Sequence, residues 1–137
     1  MEATPFSMRV LMPVPVDEAE GRVRDALASE GFGVLARIDI DTALREKIGA
    51  EIGDYRILGA CNPPLAERAL RAEPGIGVLL PCNVVLRRAP GEDGTIVEAM
   101  DPVAVMRTAG DETLIELAHD VRSRMEKVLE RVAPGHS

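Results

Sequence analysis

The sequence predicts an α+β fold: a largely antiparallel sheet with helices packed on one face, in the order β-α-β-(α)-β-α-β-β-α. Three observations lead there. Two-residue apolar alternation and helical periodicity take turns along the whole chain. The last strands are joined through a short turn containing Asp93-Gly94, a connection open to antiparallel neighbours and closed to parallel ones. Finally, 137 residues with 46% apolar side chains supply one core, so residues 1–137 read as a single domain.

Each element follows in order. Residues 7–14, SMRVLMPV, alternate with Met8, Val10 and Met12 on one face, and Pro13 and Pro15 end the strand. VDEAEGRVRDALASEG is the clearest helix. Asp17 is expected to cap it with Glu20 reaching back, and Ala19, Val23, Ala26 and Leu27 fall at helical spacing before the exit at Gly31. Residues 33–40 read as a second strand. Asp41 then caps a short helix carrying Leu44 and Ile48, which Gly49 and Gly53 break. Residues 55–62 form a third strand, with Tyr55, Ile57, Gly59 and Cys61 sharing a face.

Asn62 caps the next helix, PPLAERALRAE. Pro63 takes the first helical position, where its missing N–H costs nothing, and Leu65, Ala69 and Leu70 form the buried side. IGVLLP runs on, extended, into CNVVLRR as a fourth strand beginning near 80–82. TIVEAM follows the turn as a fifth strand, and DPVAVMR reads as a short strand or turn. The last helix starts at Asp111. It places Leu114, Leu117, Ala118, Val121, Met125, Val128, Leu129 and Val132 on one face and closes at Pro134-Gly135.

Composition excludes several function classes. Aromatic residues are only Phe6, Phe32 and Tyr55, too few for a platform that stacks bases, flavins or sugars. A formal net charge of −7 opposes nucleic acid and anionic membrane surfaces as partners. No apolar run approaches the roughly 20 residues needed to span a bilayer. The N-terminal stretch lacks the basic and apolar regions of a signal peptide, and two cysteines without an export signal suit a reducing compartment. The expected location is the cytoplasm.

One stretch stands apart. GACNPPLAERALRAEPGIGVLLPCNVVLR holds both cysteines, each followed by asparagine: Cys61-Asn62 and Cys82-Asn83. With LGACNPPLA, EPGIGVLLPCNVV and the Asp101-Pro102 pair, the chain resembles the domain-of-unknown-function 302 family of small bacterial and archaeal proteins, from about residue 8 to 133. The resemblance implies a TATA-box-binding-protein-like arrangement of antiparallel strands and helices. It implies no reaction and no DNA binding.

That arrangement, together with the hairpin-linked later strands, sets the strand ending at Cys61 beside the strand starting at Cys82, running the other way. Both thiols then share one end of the sheet, with Cα atoms expected within about 10 Å. Such a pair can hold Cu(I) linearly, provide half of a tetrahedral Zn site, or cycle between dithiol and disulfide. His119 and His136 are the available extra metal ligands, and Met8, Met12, Met100 and Met106 suit Cu(I) chemically. Core filling explains the methionines equally well, and buried cysteines are often mere small hydrophobes. Asn62 and Asn83 have plain duties too, as a helix cap and at a strand start. Pro63 and Pro64 remove two N–H groups from the helix end, so Cys61 is expected to be the more reactive thiol, and only mildly so.

No phosphate loop, nucleophile elbow or HExxH sequence is present. Glu92-Asp93 and Asp111-Glu112 sit at a turn and a helix start, where carboxylates need no catalytic reason. Three functions follow. The first is a non-enzymatic binding or sensing module, with Cys61, Cys82, Asn62 and Asn83 at a site for a soft metal or thiol-reactive species. The second is a thiol oxidoreductase or sulfur-handling enzyme using the same two cysteines. The third is a structural homodimer with incidental cysteines, its contact expected on the uncovered face of the sheet.

Overall fold

The computed structural model describes residues 1–91 and 93–135. Its strands are β1 (Glu2–Ala3), β2 (Ser7–Met12), β3 (Gly33–Asp39), β4 (Tyr55–Cys61), β5 (Cys82–Arg88) and β6 (Thr95–Met100). Its α-helices are α1 (Val16–Ser29), α2 (Ile40–Ile48), α3 (Pro63–Ala72), α4 (Pro102–Met106) and α5 (Glu112–Val132). The strands make one six-stranded sheet in the order β1-β2-β6-β5-β4-β3, every pairing antiparallel. The α+β class, the antiparallel sheet and the helical cover match the sequence expectation.

Alternation along the strands sets the core. Met8, Val10, Met12, Leu58, Ala60, Cys82, Val84, Leu86, Val97 and Ala99 are buried under the helices. Val16, Ala19, Val23, Ala26 and Leu27 of α1 meet Met125, Val128, Leu129 and Val132 of α5 over them. A second cluster joins Leu65 and Ala69 of α3, Val103 and Met106 of α4, and Leu114, Leu117 and Ala118 of α5. Helix α5 therefore spans both clusters. Among the described residues, no helix is long and apolar enough to cross a membrane.

Several local expectations need correction. Helix α1 starts at Val16 without a side-chain cap. Glu20 does not reach back to it, because three guanidinium groups draw the carboxylate the other way. Arg24 Nε and an Arg56 nitrogen each donate to it at 2.9 Å, and Arg37 at 3.3 Å. Burial works to raise the Glu20 pKa, but the Arg24 and Arg56 hydrogen bonds and the Arg37 charge outweigh it and hold the carboxyl below its ordinary range. This network pins β3 and β4 to α1.

Asp39, not Asp41, precedes α2. The extended run expected before β5 is instead a 3-10 helix over Pro74–Leu79, with the Glu73 side chain accepting from Gly75 N at 2.9 Å. DPVAVMR is helical. Asp101 Oδ1 accepts from Val103 N at 2.9 Å and from Ala104 N at 3.4 Å, and Pro102 holds the first helical position. The same cap-then-proline grammar starts α3 at Asn62-Pro63. Asp111 begins α5 as expected, accepting from Leu114 N at 3.1 Å. Glu92 and His136 lie outside the described residues.

Candidate functional site

The cysteine stretch lies at one end of the sheet. Ala60 is the register partner of Cys82 across β4 and β5. Opposed Cα atoms lie about 5.5 Å apart at most and consecutive ones about 3.8 Å, so the Cys61 and Cys82 Cα atoms are within about 9 Å. Both are free thiols: Cys82 is buried on the helix-covered face, and Cys61, the last residue of β4, is half-buried.

Asn62 closes the corner. Its Oδ1 accepts from Leu65 N at 3.4 Å to cap α3, and its Nδ2 donates to Glu30 O at 3.5 Å, tying α3 to the end of α1. Gly31 makes this approach feasible: its φ is +84°, and a Cβ there would stand 3.1 Å from Asn62 Nδ2. Behind the other cysteine, Pro81 packs so closely on Gly59 that a Cβ on Gly59 would come to 2.9 Å of its ring. Asn83 takes no part. Its neighbour Cys82 faces the helices, so alternation turns Asn83 to the open face, where it is exposed opposite Gly59.

Between the corner and the helices lies a cavity of about 260 Å³. Cys61, Asn62 and Cys82 line its sheet side. Leu65 and Ala69 of α3, Pro102 and Met106 of α4, and Leu114, Leu117, Ala118 and Val121 of α5 line the rest. The exposed lining residues Leu35 and Leu70 mark its mouth. Small residues make the space: Ala60, Ala66, Ala69 and Ala118 stand where larger side chains would fill it. Cys61, Cys82 and the already bonded Asn62 are the residues with polar side chains among its lining.

This environment decides the thiol chemistry. Burial raises the Cys61 pKa; burial, aided by the Cys61 charge, pushes Cys82 up to about 11. A raised pKa disfavours the thiolate, the form that ligates metal and attacks disulfides. Among the described residues, no three of His, Cys, Asp and Glu gather as metal ligands. His119 is exposed on α5 and absent from the cavity wall. Met8 and Met12 are core residues, whereas Met106 lines the cavity.

The apolar wall is not visible in the sequence, although α3 and α5 are; Leu70, expected on the buried side of α3, is exposed at the mouth instead. Alanines on a buried helical face look the same whether a neighbour fills the space beside them or leaves it empty.

The model of the family described as "Domain of unknown function DUF302" matches residues 8–132. No curated protein matches the chain. Among solved structures, the chain is similar to an uncharacterized conserved DUF302 protein from Bacillus stearothermophilus. The two are 29% identical, and the match covers 93% of this chain and 98% of that one with a TM-score of 0.86.

Proposed function

The chain belongs to the DUF302 family, and on that footing we propose that it is a binding module for a small, neutral, largely aliphatic molecule, held against Cys61 and Cys82. The observation that carries this reading is the cavity of about 260 Å³ with its almost wholly apolar wall. An apolar cavity of about 150 Å³ accommodates benzene, so this one has room for roughly ten heavy atoms. Left to water, this apolar wall stays unpacked and exposed to solvent. An occupant recovers that packing. The protonated thiols present small, polarisable, uncharged surfaces to it. A charged ligand would meet no counter-ion on this wall and would lose its hydration.

Of the sequence-based readings, the binding module is kept, with an aliphatic ligand in place of the soft metal or thiol-reactive species. A tetrahedral Zn site would find only two cysteine donors among the described residues, and burial opposes the thiolate form at both. The oxidoreductase reading meets the same raised pKa values.

The test is isothermal calorimetry with a series of 1-alkanols. Affinity is expected to rise about fourfold per added CH2, with a negative heat-capacity change, until the cavity is full, and then to level off. Ala118→Phe fills the space and should abolish the series while leaving the circular dichroism spectrum intact. Alkanol binding that ignores this substitution, or no binding at any chain length, would sink the proposal.

A further inference from the structure

The face of the sheet turned away from the helices carries a second group of polar side chains, Asn83 among them. Val84, Leu86, Val97 and Ala99 point to the core, so alternation places Asn83, Val85 and Arg87 of β5 and Glu98 of β6 on the open face. These four line an open pocket of about 430 Å³. Phe6 and Tyr55, two of the three aromatic residues of the chain, line it as well.

Register aims the guanidinium. Arg87 stands opposite Tyr55 on β4 and Ile96 on β6, yet its Nη2 donates at 3.0 Å to Oε1 of Glu98, the partner of Val85. To reach it, the side chain leans along β5 by one same-face step, about 7 Å, in the direction of Asn83. Glu98 is held in its turn. Ser7 Oγ donates to its Oε2, and the hydroxyls of Ser7 and Thr4 meet at 2.6 Å. Burial works to raise the Glu98 pKa, but the Ser7 and Arg87 hydrogen bonds outweigh it and hold the carboxyl below its ordinary range.

Among the described residues, the bond to Glu98 engages one of the five N–H groups of Arg87. The rest of the fork and the amide of exposed Asn83 are available to an acceptor lying between them. A planar guanidinium matches two oxygens on one carbon. Phe6, Val85, Met100 and Val105 add apolar surface around it. Neighbouring charges set the charge of the ligand. Arg9 holds Glu2 and stands 4.0 Å from Glu98, so Glu2 and Glu98 match Arg9 and Arg87 in a chain carrying −7 overall. One negative charge is tolerated there, whereas a dianion would meet both Glu98 and the field of the whole chain.

We propose that this pocket binds small organic monocarboxylic acids with an apolar body, their carboxylate bridging Arg87 and Asn83. The pocket shares no lining residue with the cavity beside the cysteines, so the site is independent of what fills that cavity.

The test is a 1H–15N NMR titration with 3-phenylpropionate at neutral pH. Saturable shifts centred on Asn83, Arg87 and Glu98 are expected, with a Kd on the order of 1 mM. The neutral 3-phenylpropionamide should bind about tenfold more weakly or worse, and Arg87→Gln should weaken the acid by a similar factor. Asn83→Asp sets a carboxylate at an exposed position, where the fold does not depend on it, and should abolish binding. Saturating 1-octanol should leave the affinity unchanged. No saturable shift up to about 20 mM acid, equal binding of the amide, indifference to both substitutions, or displacement by 1-octanol would each overturn the proposal.

Discussion

Helix α5 passes through two environments that treat it in opposite ways. Towards its C-terminus, Met125, Val128 and Leu129 are fully buried in one cluster with Val23, Leu27, Met8 and Met12. Towards its N-terminus, Leu114, Leu117 and Ala118 face the cavity beside Cys82. Met, Leu and Val side chains of α1, α5 and β2 meet at the filled end, whereas Ala66 and Ala69 of α3 and Ala118 of α5 line the cavity at the hollow end. The filled end supplies stability, and the hollow end leaves room for a ligand.

Substitutions can break or sharpen that contrast. The largest effect is expected from Leu27→Ala at the filled end, which removes a fully buried side chain where neighbours cannot collapse and should cost about 3–5 kcal/mol in urea unfolding. The next comes from Cys82. The unfolded thiol loses its proton near pH 9.0 and the folded one near 11. Its contribution is therefore fully present below about pH 9 and is lost as pH rises to about 11, amounting to on the order of 2 kcal/mol. Cys82→Ala should flatten that part of the alkaline stability curve, and an unchanged slope would contradict the burial.

A paired enlargement tests the contrast itself. Ala19→Leu, on the filled side of α1, should cost about 1–3 kcal/mol through overpacking, whereas Ala118→Leu should cost nothing or stabilise slightly, because it enters empty space. Equal costs in thermal unfolding would mean the two ends do not differ. The smallest effect belongs to Asn62→Ala, which removes the α3 cap and should cost about 1 kcal/mol.

The sequence made the filled end readable and left the hollow end obscure, for one physical reason. Periodicity reports which face of an element is buried, so Met8, Val10 and Met12, and the long stripe of α5, could be assigned to the core without coordinates. It does not report whether opposing buried faces touch. That Cys61 and Cys82 stand at one end of the sheet is legible, since it needs only an antiparallel β4–β5 pairing; alternation nevertheless turns Cys61 away from the face that Ala60 and Cys82 share. The Cys-Asn repetition was a weaker guide: Asn62 caps α3 at the cavity, but Asn83 alternates to the opposite face. Helix α4 hid behind five residues too short for periodicity, although Asp101-Pro102 uses the same start signal that revealed α3. Glu20 was misread because its partners Arg37 and Arg56 come from strands far along the chain.

The most direct measurement is the rate of Cys61 alkylation by iodoacetamide, followed by mass spectrometry, with and without saturating 1-octanol. Cys61 is half-buried and among the residues lining the cavity, so an occupant should slow the reaction at least fivefold in the native protein and have no effect in Ala118→Phe. If octanol binds while Cys61 reacts as fast as before, the ligand sits elsewhere and the hollow end of the sheet is not the binding site.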